Sequence, residues 1–461
     1  MDEISFGYNA YSILKTARDE YGTFLPTAFK SFGDYKAPLY AYLLVPTIAI
    51  FGLNEFAVRF PAALLGTLTI PLVYFLVLKI FRNEKIALLS SASLAISPWH
   101  LQFSRAGFEA NTMVFFEILG FTLFLYSKNR LRYLILAAIA FGLAFNAYHA
   151  ARIWIPIFLL TVAIYYRESL LKQKSKILVA AFILSIFILP SVINFKDVTT
   201  RGRDVLIIGQ KDIEKTFVTN YLTHFSPVFL FVSGDSIGRH SVPGIGELYI
   251  FKIPFVFIGL MVLIKSKERN CRLLLAWFLI APIPSAIATP APHALRDITS
   301  IPLWSIITAL GIYSFTKVRI NPYLKKTLYV IVSVIAFYNI ITYLHLYHSH
   351  YPKEKAIDWS AGTKEMIQYV ASVENNYGRI YVTKSYSIPY IYFLFYTKYD
   401  PKIYQQENGD NSHFGKYYFN TTDWPSYNGR YLVIDDGGSH PRNLLKEIYI
   451  NNNNLIYRIG N

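Results

Sequence analysis

The sequence is poor in two things that soluble proteins use freely, cysteine and charge. A single cysteine, Cys271, occurs in 461 residues. It excludes an intramolecular disulfide and a thiolate metal centre, and with them dithiol redox chemistry and zinc-finger readings. Charged residues make up only 16% of the chain, against about a quarter in an ordinary soluble domain. Acidic residues are the scarcer kind: 45 Lys and Arg stand against 29 Asp and Glu, a formal net charge of +16. There is no Walker-type glycine loop, no internal repeat and no low-complexity tract. From Met1 there is also no basic start followed by an apolar core, so no signal peptide is read there.

What fills the space is apolar. Hydrophobic residues reach 53% and aromatics 17%, with a mean hydropathy of +0.32, which excludes disorder and points to a membrane. A spanning helix needs about 20 mostly apolar residues. Runs approaching that length are read at 58–81, 86–99, 111–126, 133–147, 153–166, 177–193, 250–264, 273–287, 301–315 and 328–346. Residues 37–51 are apolar too, but Pro38 and Pro46 interrupt them, and an interfacial placement is predicted.

The joints between runs orient the chain. Alternate joints carry Lys79, Arg82 and Lys85; Lys128, Arg130 and Arg132; Arg167, Lys172, Lys174 and Lys176; Lys265, Lys267, Arg269 and Arg272; and Lys317, Arg319, Lys325 and Lys326. Positive joints mark the cytoplasmic side. Residues 1–57, the joints near 99–109, 148–152, 194–249 and 288–299, and everything after 347 then face outward. This alternation accounts for the basic excess without nucleic acid as a partner. An outward N-terminal segment also predicts a membrane helix upstream of Met1. The other reading is that 37–51 spans and the N-terminus is cytoplasmic.

The expected fold class is therefore an all-α polytopic membrane bundle with a small C-terminal α/β domain. The domain reading is a first outer loop with interfacial helices over 1–57, a bundle of about ten helices over 58–346, and an extracytoplasmic domain over 347–461. Within the last, short β-like runs are read at 379–383 and 431–434, and helix-like stretches at 364–373 and 443–449. Asn420-Thr421-Thr422 fits a glycosylation acceptor, a frequent chance triplet.

Polar residues crowd the outward ends of the runs. The first loop opens on Asp2-Glu3 and continues through Gly33-Asp34-Tyr35-Lys36-Ala37-Pro38-Leu39-Tyr40 to Arg59-Phe60-Pro61. Paired carboxylates, a lysine before an apolar helix and an arginine at a helix mouth suit an acid/base centre beside an anion clamp. Each alone is ordinary, since adjacent carboxylates are commonly solvated and interfacial lysines commonly snorkel. In the second joint Arg105 and Glu109 read either as a second site group or as an i,i+4 ion pair. Tyr148-His149-Ala150-Ala151-Arg152 reads as an interfacial belt or as phosphate and sugar contacts. His293 and Arg296, three apart, would share a helical face at a positive dipole end. Arg239-His240 lies in the long joint 194–249, whose length without evident structure suits a lid or acceptor guide.

The order of these motifs resembles the GT-C glycosyltransferases that use polyprenyl-phosphate sugars. It is most similar to the protein O-mannosyltransferase and aminoarabinose transferase group with its bacterial RgtA/B/C/D-like members. The resemblance runs over most of 1–346 and is most specific in the first loop. It implies Asp2 as the base that deprotonates an acceptor hydroxyl, Glu3 as its companion, and Glu109 as a second carboxylate. Lys36 matches the lysine that steadies the lipid phosphate, although Ala37 replaces a first proline. Arg59, Arg105, Arg152, His293 and Arg296 are the other expected donor-phosphate contacts, with Asp34, His149, Arg239 and His240 secondary. A divalent cation is a possible cofactor, with Asp2 and Glu109 as its candidate ligands. The implied partners are a polyprenyl-phosphate-linked sugar, a protein, lipid or glycan acceptor, and membrane lipid. Transfer would invert the anomeric centre on the outer face of a cell membrane, and the richness in Lys, Asn, Tyr and Phe suggests a prokaryote. The competing classes are a transporter, expected to hold ionisable groups at mid-membrane and related halves, and a non-catalytic lipid-binding membrane protein.

Overall fold

The computed structural model describes all residues except 129, 195–204, 383–387, 408–410, 420–428, 436–442 and 451–453. The Asn420 triplet and Thr383 lie outside the described residues. The chain forms two compact units, one of residues 1–33, 40–61 and 349–461, the other of 34–39 and 62–348.

The second unit is helical. All ten predicted runs overlap a helix, but they differ in reach. Among the described residues, five helices have the length and composition to cross a membrane: Glu55–Phe81, Ala151–Leu171, Lys174–Ile193, Ile298–Lys317 and Pro322–Glu354. Pro98–Arg105 and Glu109–Tyr126 make a sixth if taken together, bent by 116° at the joint between them. Glu84–Ala95, Ile253–Lys265 and Arg269–Ile280 have 12, 13 and 12 residues. At 1.5 Å per residue these fall well short of a hydrocarbon core of about 30 Å. Apolar composition marks burial among neighbouring helices as readily as contact with lipid, so the runs read as a bundle of about ten helices differ in length.

Two glycines set one of the closest helix pairs in this unit. A Cβ on Gly259 would lie 1.9 Å from the Ile307 carbonyl oxygen, and one on Gly311 would lie 1.8 Å from that of Phe255. Ile253–Lys265 and Ile301–Lys317 therefore touch backbone to backbone, the small-residue packing favoured where lipid offers no hydrophobic drive. Around them Trp99, Phe103, Phe121, Phe158, Trp277 and Ile307 fill the core.

Within the joint 194–249, residues 205–249 are more ordered than their composition implied. It holds the Ile213–Thr223 helix and a π-turn over Val228–Ser233. Gly234 follows with φ 67°, and a Cβ there would meet Ser241 Cβ at 2.8 Å and the Ile245 carbonyl at 2.9 Å. Only glycine takes that backbone without strain.

The first unit joins the two ends of the sequence. Asp2–Thr16 is a helix within the segment read as a first outer loop with interfacial helices, and it packs on Pro389–Tyr396 and Pro401–Gln406. Gly7 permits the approach, since a Cβ there would be 2.6 Å from the Phe395 ring and 2.7 Å from Val58. The Tyr8 hydroxyl donates to the Tyr399 carbonyl (3.1 Å), and Gln405 Nε2 donates to Ser12 Oγ (3.0 Å) and the Asp19 carbonyl (2.8 Å). A six-stranded mixed sheet completes the unit. Its strands are β1 Arg379–Val382, β2 His413–Phe414, β3 Tyr417–Phe419, β4 Tyr431–Asp435, β5 Leu444–Ile450 and β6 Asn454–Gly460, in the order β2-β3-β1-β4-β6-β5. β1 runs parallel to β3 and β4, with Ile380 opposite Leu432 and Val382 opposite Ile434. These residues are buried, which explains the unbroken apolar runs. Residues 443–449, expected as a helix, form β5 instead. Leu, Lys and Glu favour helix weakly, and antiparallel pairing with β6 overrides that preference.

Candidate functional site

In the first unit, Asp2 and Glu3 occupy the first turn of the Asp2–Thr16 helix, where the positive dipole end favours carboxylates. Glu3 forms a two-pronged ion pair with Arg59, which donates Nε to Oε1 at 2.9 Å and Nη2 to Oε2 at 2.8 Å. The planar fork fits a carboxylate edge-on and fixes both side chains. The Arg59 guanidinium also lies 6.0 Å over the Trp359 ring. Glu3 is therefore held by a cation while Asp2, beside it in sequence, sits at the helix mouth.

In the second unit, Asp34, Lys36, His149 and Arg152 come from segments distant in sequence. Lys36 ends the short strand Asp34–Lys36 and is buried at 5% exposure. Asp34 Oδ1 accepts from the Tyr35 amide at 2.6 Å, and its charge also acts on Arg152. Arg152 opens the Ala151–Leu171 helix and donates Nη1 to His149 Nδ1 at 3.0 Å. The contact makes that nitrogen an acceptor, so the proton of a neutral His149 ring is on Nε2. Arg105 closes Pro98–Arg105 and lies 4.4 Å over the Tyr347 ring. Glu109 opens Glu109–Tyr126 beyond the 116° bend. The two residues are thus on different helices, and the i,i+4 reading does not apply.

His293 and Arg296 lie in the turn before Ile298–Lys317 rather than on a helical face. Arg296 Nη1 donates to the carbonyls of Thr289 (3.0 Å) and Pro290 (3.3 Å). His293 is buried, its ring centroid 4.8 Å from that of His240. Arg239 is half-buried, and its carbonyl accepts from Gln102 Nε2 at 2.8 Å.

The centre of this cluster is Asp235, which composition and spacing did not single out. Its Oδ2 accepts from His240 Nδ1 at 2.8 Å and from the Ala294 amide at 2.7 Å, and its Oδ1 accepts from the Ile237 amide at 2.9 Å. Asp235 thereby ties the Gly234 turn to the 293–294 segment. Burial alone would raise its carboxyl, but the hydrogen bond and charge of His240 outweigh that and hold it below the ordinary value. Glu247 Oε1 accepts from the Asp235 amide at 3.0 Å, and burial raises Glu247 well above a normal carboxyl. His224 donates Nδ1 to the Asn220 carbonyl at 2.7 Å, so its Nε2 accepts, from Ser285 Oγ at 2.7 Å and the His293 amide at 3.2 Å. Burial pulls His224 down to about 4, leaving it neutral. Asp235, His240 and His293 bring ligand-type atoms within 4.8 Å of one another. Asp2 and Glu109, the cation ligands expected from sequence, fall in the first and second unit respectively.

Two further buried ionisable groups escaped the sequence reading. Glu117, fully buried in Glu109–Tyr126, faces the Trp154 indole, and Lys252 donates Nζ to Ser93 Oγ at 3.0 Å and to the Ser93 carbonyl at 3.2 Å. Each sits inside an apolar run, where hydropathy averages hide single charges.

Residues 35–193 match the dolichyl-phosphate-mannose-protein mannosyltransferase family. The match takes in Lys36 and Arg59 and excludes Asp2 and Glu3. No protein of curated function matches the sequence. Among solved structures, ArnT from Cupriavidus metallidurans, bound to undecaprenyl phosphate, superposes with a TM-score of 0.58 at 12% identity, covering 100% of this chain and 93% of ArnT. The oligosaccharyltransferase AglB from Archaeoglobus fulgidus, in complex with an inhibitory peptide and a dolichol-phosphate, gives 0.53 at 15% identity. That superposition covers 86% of this chain and 59% of AglB, so the chain spans well under two thirds of AglB. The protein has the GT-C fold that the first-loop motifs resembled, with several apolar helices and a small C-terminal sheet.

Proposed function

We propose that this GT-C protein is a membrane glycosyltransferase that moves a sugar from a polyprenyl-phosphate donor to an acceptor hydroxyl, with inversion. The observation that carries the reading is the family match over 35–193, which takes in the buried Lys36 and the Arg152-led helix. The undecaprenyl phosphate bound to ArnT and the dolichol-phosphate bound to AglB support a donor of that class. A protein, lipid or glycan carries the acceptor hydroxyl.

The chemistry follows from the donor. Its tail requires lipid and its phosphate requires cations at the interface. Lys36 and Arg152, aided by Arg105 and Arg296, offset the negative charge that grows on the departing lipid phosphate. Arg152 adds the amide end of its own helix, a natural seat for phosphate. Asp2 takes the acceptor proton while the hydroxyl attacks the anomeric carbon opposite the phosphate, and Glu3 with Arg59 steadies the carboxylate pair. The leaving group and the base act on opposite faces of the sugar, so the product is inverted. The phosphate–sugar bond supplies the driving force and no nucleotide is consumed. The basic joints support an active face on the outer side of the membrane, and the richness in Lys, Asn, Tyr and Phe supports a prokaryotic one.

The test is transfer by purified protein from a panel of radiolabelled polyprenyl-phosphate sugars. One donor should turn over; Asp2→Asn should cut the rate by at least about 100-fold while leaving the fold intact. Lys36→Ala should act mainly on donor use, raising the donor KM. Normal turnover in Asp2→Asn removes the base assignment, and neither turnover nor donor binding removes the class.

A further inference from the structure

The Asp235 cluster has a composition that phosphate binding does not call for. It combines a carboxylate with two imidazoles, all three buried, at 5%, 4% and 6% exposure. Phe103 and Phe108 wall the His240 ring at 5.6 and 6.0 Å and keep bulk water from it. A carboxylate and two histidines are hard-to-borderline donors, the set that suits a zinc-class divalent ion. Such an ion with three protein ligands keeps a fourth position open.

We infer that Asp235, His240 and His293 form a binding site for one zinc-class divalent cation in the second unit, independent of Asp2 and Glu109. In tetrahedral zinc sites bonds of 2.0–2.1 Å place ligand atoms roughly 3.3 Å apart. Here the three ligand atoms lie within 4.8 Å of one another, so small side-chain rotations close the site. Two hydrogen bonds engage the ligand atoms. A proton on His240 Nδ1 bridges to Asp235 Oδ2 at 2.8 Å, standing where the cation would sit between the same two groups. His293 Nδ1 accepts from the Arg296 amide at 3.2 Å, a long contact that metal ligation by this ring would replace. Two hydrogen bonds thus give way to three coordination bonds.

The surrounding contacts place the ligands: the Ala294 amide donates to Asp235 Oδ2 at 2.7 Å, which leaves that oxygen a second lone pair for the ion. Asp235 is anchored through its other oxygen by the Ile237 amide and through its own amide by Glu247. Its carbonyl accepts from Ser241 Oγ at 2.8 Å. His293 is positioned by the bond from its amide to His224. Outer contacts of this kind orient metal ligands in known sites. The Arg296 guanidinium is turned to the 289–290 carbonyls, which moderates its repulsion of a cation.

The experiment uses the full chain in detergent, its affinity tag removed, stripped with EDTA and titrated with Zn2+ against a chromophoric chelator. The expected result is one zinc per chain, with affinity lowered at least ~100-fold in His240→Asn and in His293→Asn. Co2+ in the wild-type protein should give the intense visible bands of a four-coordinate site, and this readout does not depend on any variant folding. Asp235→Asn, which can keep the backbone contacts, should also lose the ion. Absence of stoichiometric zinc, a weak octahedral Co2+ spectrum, or binding unchanged in both histidine variants overturns the assignment. Loss of binding in Asp2→Asn or Glu109→Gln instead moves the ion to the residues expected from the first-loop resemblance. None of these readouts depends on sugar transfer, so the two proposals fail separately.

Discussion

Single residues show how burial changes what a charge can do. Asp19, at 2% exposure, accepts from the amides of Tyr21 (3.0 Å) and Thr23 (2.8 Å) in a turn that Gly22 closes at φ 85°. Burial raises its carboxyl above the ordinary value, and these amides reduce the shift without cancelling it. A raised folded pKa means that the folded state holds the proton more tightly than the unfolded chain. The stabilising contribution is therefore complete below the ordinary carboxylate range near 3.9 and is lost as pH rises through the folded value. Asp19→Asn, neutral at every pH, should flatten the profile. Thermal midpoints of the two proteins across pH 4 to 7 should converge at the acid end and diverge towards neutrality; parallel curves would contradict the assignment. Asp2, Glu3 and Lys36 stood out as candidates at this scale because they stand in ordered motifs near the start of the chain. Asp235 was not, since an aspartate after a glycine in a long polar joint reads as an ordinary turn.

At the scale of elements, the same apolar composition served two ends. Glu55–Phe81 and Lys174–Ile193 are long enough to cross a membrane, whereas Glu84–Ala95 and Arg269–Ile280 are not. Periodicity cannot separate a lipid-facing run from one buried among its neighbours, since both are apolar all round. Helix contacts do separate them, and Gly259 and Gly311 are the clearest case. Gly311→Leu places a side chain where the Phe255 carbonyl now lies and should force the two helices apart. The expected cost is about 3 kcal/mol or more, read as a fall of several degrees in the thermal midpoint in detergent. A midpoint unchanged within a degree would show that the close approach is dispensable. The strand β5 is the converse case. Its helix-favouring residues lie between bulges at 444–446 and 448–449, and hairpin pairing with β6 decides their conformation.

For the whole molecule, the charge of the joints makes a directional claim. In a background with Cys271 replaced by serine, Lys128→Cys and Lys172→Cys should resist a membrane-impermeant maleimide in intact cells, while Lys353→Cys should react. The reverse pattern would invert the proposed orientation and place the transfer site inside. At this scale the ends of the chain surprise most. The Asp2–Thr16 helix belongs with the C-terminal sheet domain in one unit, held by Tyr8, Ser12 and Gln405. No local pattern announces a contact between residues 8 and 399, because sequence separation carries no trace of spatial proximity.

The sequence by itself determined the membrane class, the helical bundle, the small terminal α/β domain and the motif order of the first loop. Those rest on composition and on short-range spacing, which the chain displays directly. Tertiary structure alone decided which apolar runs are long enough to span, that Asn443 is followed by a strand, and that Arg105 and Glu109 stand on different helices. It alone also brought Asp235 and His240 to His293, more than fifty residues further along. These outcomes depend on long-range packing and pairing, whose energies outweigh the few tenths of a kilocalorie per residue that local preference supplies.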